Sequence, residues 1–191
     1  IQSIHPILIG NGSLFNPVKS PNAIYFLLRS ESSNAIVINI GKIDLQGNLQ
    51  YLTQSEEFIS QLAYYNDKLY AVTEQQIDFV LGSLTSVGKL HVLEESTGLG
   101  QSYVIGDPDA SIIGYSGLAV NETGIYVFSN NTYFPTFPLE TQGFYYTSGA
   151  FQPYSQPNLY GGHVGALTKY DLTTATREWS TYIGGSGSVS L

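Results

Sequence analysis

Residues 161–187 read GGHVGALTKYDLTTATREWSTYIGGSG. An alternating run, Ala166-Leu167-Thr168-Lys169-Tyr170, meets a threonine-rich turn, and a second run returns through WSTYI into a glycine-rich exit. Alternation with a period of two marks a strand with one buried face, and small polar residues between two such runs mark a hairpin. The stretch is therefore read as two adjacent strands of a larger antiparallel sheet.

The same plan recurs upstream, in GKIDLQGNLQYLTQ (41–54) and GKLHVLEESTGLGQSYVIG (88–106). Ahead of each hairpin stands a strand built around a tyrosine: NAIYFLLRS (22–30), DKLYAVTEQ (67–75) and TGIYVFSNN (123–131), with Tyr25, Tyr70 and Tyr126 in corresponding places. A further apolar alternation, FISQLAYYN (58–66) and YSGLAVNET (115–123), precedes the second and third of these. Each unit thus holds four strands, and the tyrosine intervals fit the roughly 40–50 residues of a propeller blade with variable loops. The expected fold is all-β, a β-propeller-like array of about three four-stranded blades, with a β-sandwich as the alternative. The division is an N-terminal extension over 1–21, then repeats over about 22–66, 67–122 and 123–191. QSEEFISQL (54–62) is read as strand, with room for one helical turn. The irregular stretch 130–162 carries Pro135, Pro138, Pro153 and Pro157, which interrupt any ladder, and its many aromatics predict a packed loop.

Composition agrees with sheet. Of 191 residues, 12% are charged against about a quarter in typical domains, while 15 tyrosines and 9 phenylalanines suit a half-buried pleated surface. A formal net charge of -8, with scattered Lys and Arg, excludes nucleic acid as an expected partner. No apolar run reaches the roughly 20 residues that span a bilayer, so no membrane insertion is expected. Few charge pairs also predict acid tolerance. Cysteine and methionine are absent, and Asn-x-Ser/Thr triplets at Asn11, Asn121 and Asn130 are glycosylation candidates. These features point to a secreted or cell-surface location.

Residues 117–187 resemble the β-propeller repeat of many secreted and cell-surface proteins of bacteria and archaea, whose units close on Ser-Thr-Tyr-Leu/Ile-Gly-Gly-Ser-Gly. The matching pieces come in order: GLAV (117–120), GIYVFS (124–129), FPTFP (134–138), GAFQ (149–152), GG (161–162), ALTKYD and STYIGGSG (180–187). The chain departs from that pattern where HVGAL replaces an Asp-Ala-Phe-Val type opening, and where Ser188 replaces an acidic residue. The first departure weakens the inference of a polar contact at the blade edge. Three blades fall short of the four or so that close a propeller. The expectation is either a segment of a longer polypeptide or completion by copies of itself or another surface protein through strand addition, with SIHPILIG (3–10) as a candidate donated strand.

The functional expectation is an extracellular non-catalytic structural or adhesion module that assembles through sheet edges. The alternative is a carbohydrate-binding or carbohydrate-active propeller with the 130–162 loop at the site; there Tyr133, Phe134, Tyr145, Tyr146, Tyr154 and Tyr160 could stack on sugar rings of a glycan partner. A third reading is a propeller hydrolase or lyase whose catalytic residues lie on other blades. No cofactor is expected apart from calcium, for which Asp107 and Asp109 in GDPDAS (106–111) supply hard oxygen ligands; the competing reading is an Asx-type turn. His5, His91 and His163 lack metal-site spacing. The pairs Glu56-Glu57 and Glu94-Glu95 are neighbours on strands and point to opposite faces, so neither forms one acid–base constellation. Ser186 and Ser188 lack the strand–turn–helix context of a nucleophile elbow.

Overall fold

The computed structural model of the chain describes residues 13–32, 35–55, 58–80, 83–105, 112–133, 147–151 and 162–183. Among them lie twelve strands: β1 (Ser13–Lys19), β2 (Ala23–Ser32), β3 (Ala35–Asp44), β4 (Leu49–Ser55), β5 (Phe58–Tyr65), β6 (Lys68–Val80), β7 (Ser83–Glu94), β8 (Gly100–Ile105), β9 (Ile112–Asn121), β10 (Gly124–Tyr133), β11 (Gly162–Tyr170) and β12 (Arg177–Ile183). They form three four-stranded antiparallel sheets, each a simple meander: β1-β2-β3-β4, β5-β6-β7-β8 and β9-β10-β11-β12. The fold is all-β, a propeller-like array of three four-stranded sheets in place of the two of a sandwich. GGHVGALTKYDLTTATREWSTYIGGSG supplies β11, its turn and β12. Each sheet begins one strand before the repeated tyrosine strand, at residues 13, 58 and 112.

The chain divides into two compact units, residues 1–56 and 57–191. In the first, Tyr25, Leu27, Ile38 and Ile40 are fully buried. β1 carries a bulge between Phe15 and Val18, where Pro17 needs no ladder donor and Asn16 takes a positive φ of 51°. The β3–β4 turn is organised by Asp44, whose Oδ1 accepts from the backbone N–H of Gln46 (2.9 Å) and of Asn48 (2.8 Å) while Oδ2 accepts from Asn48 Nδ2 (2.8 Å). These bonds, those from Asn48 foremost, hold its carboxyl below the usual value.

In the second unit β9 packs against β5, β6 and β7 of the preceding sheet. The shared core includes Val72, Leu90, Ile105, Ile125 and Val127 together with Tyr70, Tyr115, Tyr170 and Tyr182. Asn66 and Asp67 join β5 to β6 with φ of 49° and 59°; Asn and Asp are the side chains that tolerate this left-handed pair in a two-residue hairpin loop. The seam between the sheets centres on Tyr115. Its ring lies over Gly88, where an added Cβ would come within 2.4 Å, and its hydroxyl donates to the Ile105 carbonyl at 3.1 Å. The third strand of every sheet repeats the device, with Phe26 over Gly41 and Phe128 over Gly165. At the other side of the third sheet, Thr147 donates its N–H to the Ser180 carbonyl (3.1 Å) and accepts the Ser180 N–H on Oγ1 (3.2 Å), covering part of the β12 edge.

The Tyr115 N–H also donates to the Glu74 carboxylate at 2.8 Å. Burial pushes the Glu74 pKa up, against the opposing bonds from Tyr115 and Ser60. A folded-state pKa above the unfolded one means that this group favours the fold most below the ordinary glutamate value of about 4.3, a contribution lost as pH rises through the folded pKa. Glu74→Gln keeps an oxygen for Tyr115 and removes the titration. Urea melts at pH 4 and pH 7 should therefore show the variant losing less stability across that interval than the parent; equal losses would refute the assignment.

Candidate ligand cleft

Pairing register puts one set of side chains on one face of the second sheet. Across β5 to β8 the partners are Tyr65↔Lys68, Ala63↔Tyr70, Tyr70↔Val92, Lys68↔Glu94, Val92↔Gln101 and Leu90↔Tyr103. Because side chains alternate along each strand, these residues share a face. Tyr70 and Leu90 belong to the packed core, and toward the β5–β6 turn the same face opens into a cleft of about 560 Å³. Tyr65, Tyr70, Val92 and Tyr103 line it together with Leu172 and Ala175 of the β11–β12 turn, and Asn66, Lys68, Glu94, Thr97, Leu99, Gly100, Gln101 and Thr173 complete the described lining.

The β11–β12 turn is held rigidly. Asp171 Oδ1 accepts from Thr173 N (2.9 Å), Thr174 N (2.7 Å) and Thr174 Oγ1 (2.9 Å), and the Asp171 N–H donates to the Thr176 carbonyl at 2.8 Å. The Thr174 bonds, first among its partners, keep the Asp171 carboxyl below its usual value. Ala175 is buried with φ 51°, a left-handed conformation that alanine holds only where its surroundings impose it.

The cleft is mixed in character. Lys68 and Glu94 pair at 3.3 Å, so the two formal charges of the lining among the described residues offset one another. Burial, then the Glu94 charge, then Tyr65 push the Tyr70 hydroxyl pKa up, so it remains a neutral donor at physiological pH. Tyr103 donates its hydroxyl to Gln101 Oε1. Ring surfaces flanked by hydroxyl and amide groups, without a free charge, suit a neutral molecule with an apolar body.

Of the histidines and loop residues singled out from sequence, the described ones take other places. His91 bridges three strands, with Nε2 2.9 Å from Thr73 Oγ1 and Nδ1 2.8 Å from Ser102 Oγ. Tyr133 ends β10 opposite Gly162, and His163 pairs with Thr132. Phe134, Tyr145, Tyr146, Tyr154 and Tyr160 lie outside the described residues, as do His5, Asn11, Glu56, Glu57, Asp107, Asp109, Ser186 and Ser188. Glu94 ends β7 and faces the cleft, whereas Glu95 accepts the Tyr64 hydroxyl at 3.0 Å. Tyr65 and Tyr103 escaped notice in the sequence. Their only signal was the period-two alternation of FISQLAYYN and GQSYVI, which assigns a face without saying what lies across from it.

No family model and no curated protein matches the chain. Among solved structures it is similar to cobalt-substituted ACO of Synechocystis, at 14% identity and a TM-score of 0.50, over 92% of this chain and 40% of that one. It also aligns with an ACO/RPE65 chimera, at 13% identity and a TM-score of 0.49, over 92% and 40% respectively. The chain thus spans about 40% of the length of the structures it matches. The likeness to ACO supports the propeller-like fold. The functional expectation is corrected as well: the architecture is shared with ACO and no finding supports adhesion, so a non-catalytic adhesion module built on sheet edges is set aside. The physical reason is that open ladders at the ends of an array follow from its blade count and carry no information about what the blade faces bind.

Proposed function

We propose that this chain is a small-molecule-binding segment of a propeller protein, and that its cleft receives an uncharged, largely apolar molecule bearing a hydroxyl or carbonyl group. The observation that carries this is the convergence of Tyr65, Tyr70 and Tyr103 from one sheet with Leu172 and Ala175 from the next around one cleft. Its volume falls within the roughly 300–1,000 Å³ of sites for small ligands. The resemblance of residues 117–187 to secreted propeller repeats supports an extracellular setting for such binding.

The metal named for ACO finds no counterpart set of ligands here. Among the described residues no three His, Cys, Asp or Glu side chains gather to hold an ion, and both ring nitrogens of His91 already meet hydroxyls. The described residues do not fit such a centre.

The test uses prodan, an uncharged naphthalene ketone whose emission shifts to the blue on leaving water. Titration with the chain should give a saturable blue shift, weakened about tenfold, equivalent to about 1.4 kcal/mol, by Tyr103→Ala and again by Leu172→Ala. No shift at high protein concentration, or an affinity in both variants equal to that of the parent chain, would overturn the proposal.

A further inference from the structure

We propose that Asn121 is an acceptor for an N-linked glycan in the folded chain and that Asn130 is not. Both head an Asn-x-Ser/Thr triplet, and the structure separates them. Asn121, Glu122 and Thr123 are all exposed at the β9–β10 turn. There Asn121 Oδ1 accepts from the Thr123 backbone N–H at 2.8 Å and from Thr123 Oγ1 at 2.6 Å. The triplet is therefore already bent into a compact turn that ties the hydroxyl residue to the acceptor amide. Both bonds fall on the oxygen and leave Nδ2, the atom that would be modified, unused by them.

Asn130 has the opposite surroundings. It sits in the middle of β10, paired with Gly165 on β11 and Gly114 on β9, and its Oδ1 is buried with no hydrogen-bond partner among the described residues. Its triplet, Asn130-Asn131-Thr132, is held extended within β10 by pairing to the neighbouring strands, and bending it into a turn would require breaking those pairs.

The surface around Asn121 also suits a sugar. Register places Asn121, Tyr126, Lys169 and Trp179 on one face of the third sheet. The Tyr126 hydroxyl lies 2.7 Å from Thr123 Oγ1, and its ring meets Trp179 edge-on at 6.3 Å and 62°. An aromatic pair beside the acceptor offers ring faces to the first sugar.

In the transfer, Asn121 Nδ2 bonds to the anomeric carbon of a lipid-diphosphate-linked oligosaccharide. The anomeric C–O bond breaks, the lipid diphosphate leaves, and Nδ2 gives up one proton to the transferase.

The test incubates the folded chain with an oligosaccharyltransferase that reads Asn-x-Ser/Thr and a lipid-linked oligosaccharide. Sites are then mapped by mass spectrometry after enzymatic deglycosylation in heavy-oxygen water. Asn121 should be modified in the folded chain at least tenfold more than Asn130, whereas proteolytic peptides carrying each triplet should differ by less. Thr123→Ala, at an exposed position, should abolish modification of Asn121 with an unchanged circular dichroism spectrum. An unmodified Asn121 in the folded chain, or Asn130 modified to the same extent there, would overturn the proposal.

Discussion

Replacing Tyr115 by alanine should lower the unfolding free energy of the chain by about 3–5 kcal/mol, read as a fall in urea midpoint at unchanged slope. The side chain is only 5% exposed and covers the Gly88↔Ile105 pair of the neighbouring sheet, so truncation leaves a cavity at the seam between two sheets. Burial, with Tyr170 nearby, keeps its hydroxyl protonated, and that hydroxyl donates a hydrogen bond to the Ile105 carbonyl. Tyr115→Phe separates the two contributions. It retains the ring over Gly88 and should cost only about 0.5–1.5 kcal/mol, the net value of one hydrogen bond. An alanine variant that loses less than about 1 kcal/mol would mean that the sheets do not meet at this residue.

Gly88→Ala should cost about 1–3 kcal/mol, although alanine is the smallest possible addition. The new methyl would lie 2.4 Å from the Tyr115 ring, which cannot retreat without giving up its bond to Ile105. A double-mutant cycle makes the cause explicit. In the Tyr115→Ala background the ring is gone, so Gly88→Ala should cost close to nothing, and the non-additivity should approach the single-mutant penalty. Additive losses would point instead to a backbone requirement at Gly88. Gly41 and Gly165 provide an independent comparison, because their covering rings, Phe26 and Phe128, come from the adjacent strand of the same sheet. Substitution there should strain one sheet without loosening the seam.

Much of the fold was legible because it is encoded locally. Period-two alternation identifies strands, and hairpin turns declare themselves through Asn66-Asp67, which tolerate positive φ, and through Asp44 and Asp171, whose carboxylates collect nearby donors. Counting four strands per unit followed directly. The glycines that open each hairpin could be seen as a pattern, but their purpose could not. Gly88 is covered from the next sheet and Gly41 from its own, a distinction that arises only when sheets pack.

The candidate site was not legible, for a related reason. Attention fell on the aromatic-rich stretch 130–162 because density of aromatics is a property of composition. Most of that stretch lies outside the described residues, and the cleft among the described ones combines residues within 65–103 with residues 172–175, which no local pattern links. Alternation could say that Tyr65, Tyr70 and Tyr103 would share a face, given the register; it could not say whether that face would be wholly packed or left open at one end. Strand identity and turn geometry thus arise from interactions between near neighbours along the chain. The seam, the cleft and the contrast between Asn121 and Asn130 arise from burial, which depends on what lies across the fold.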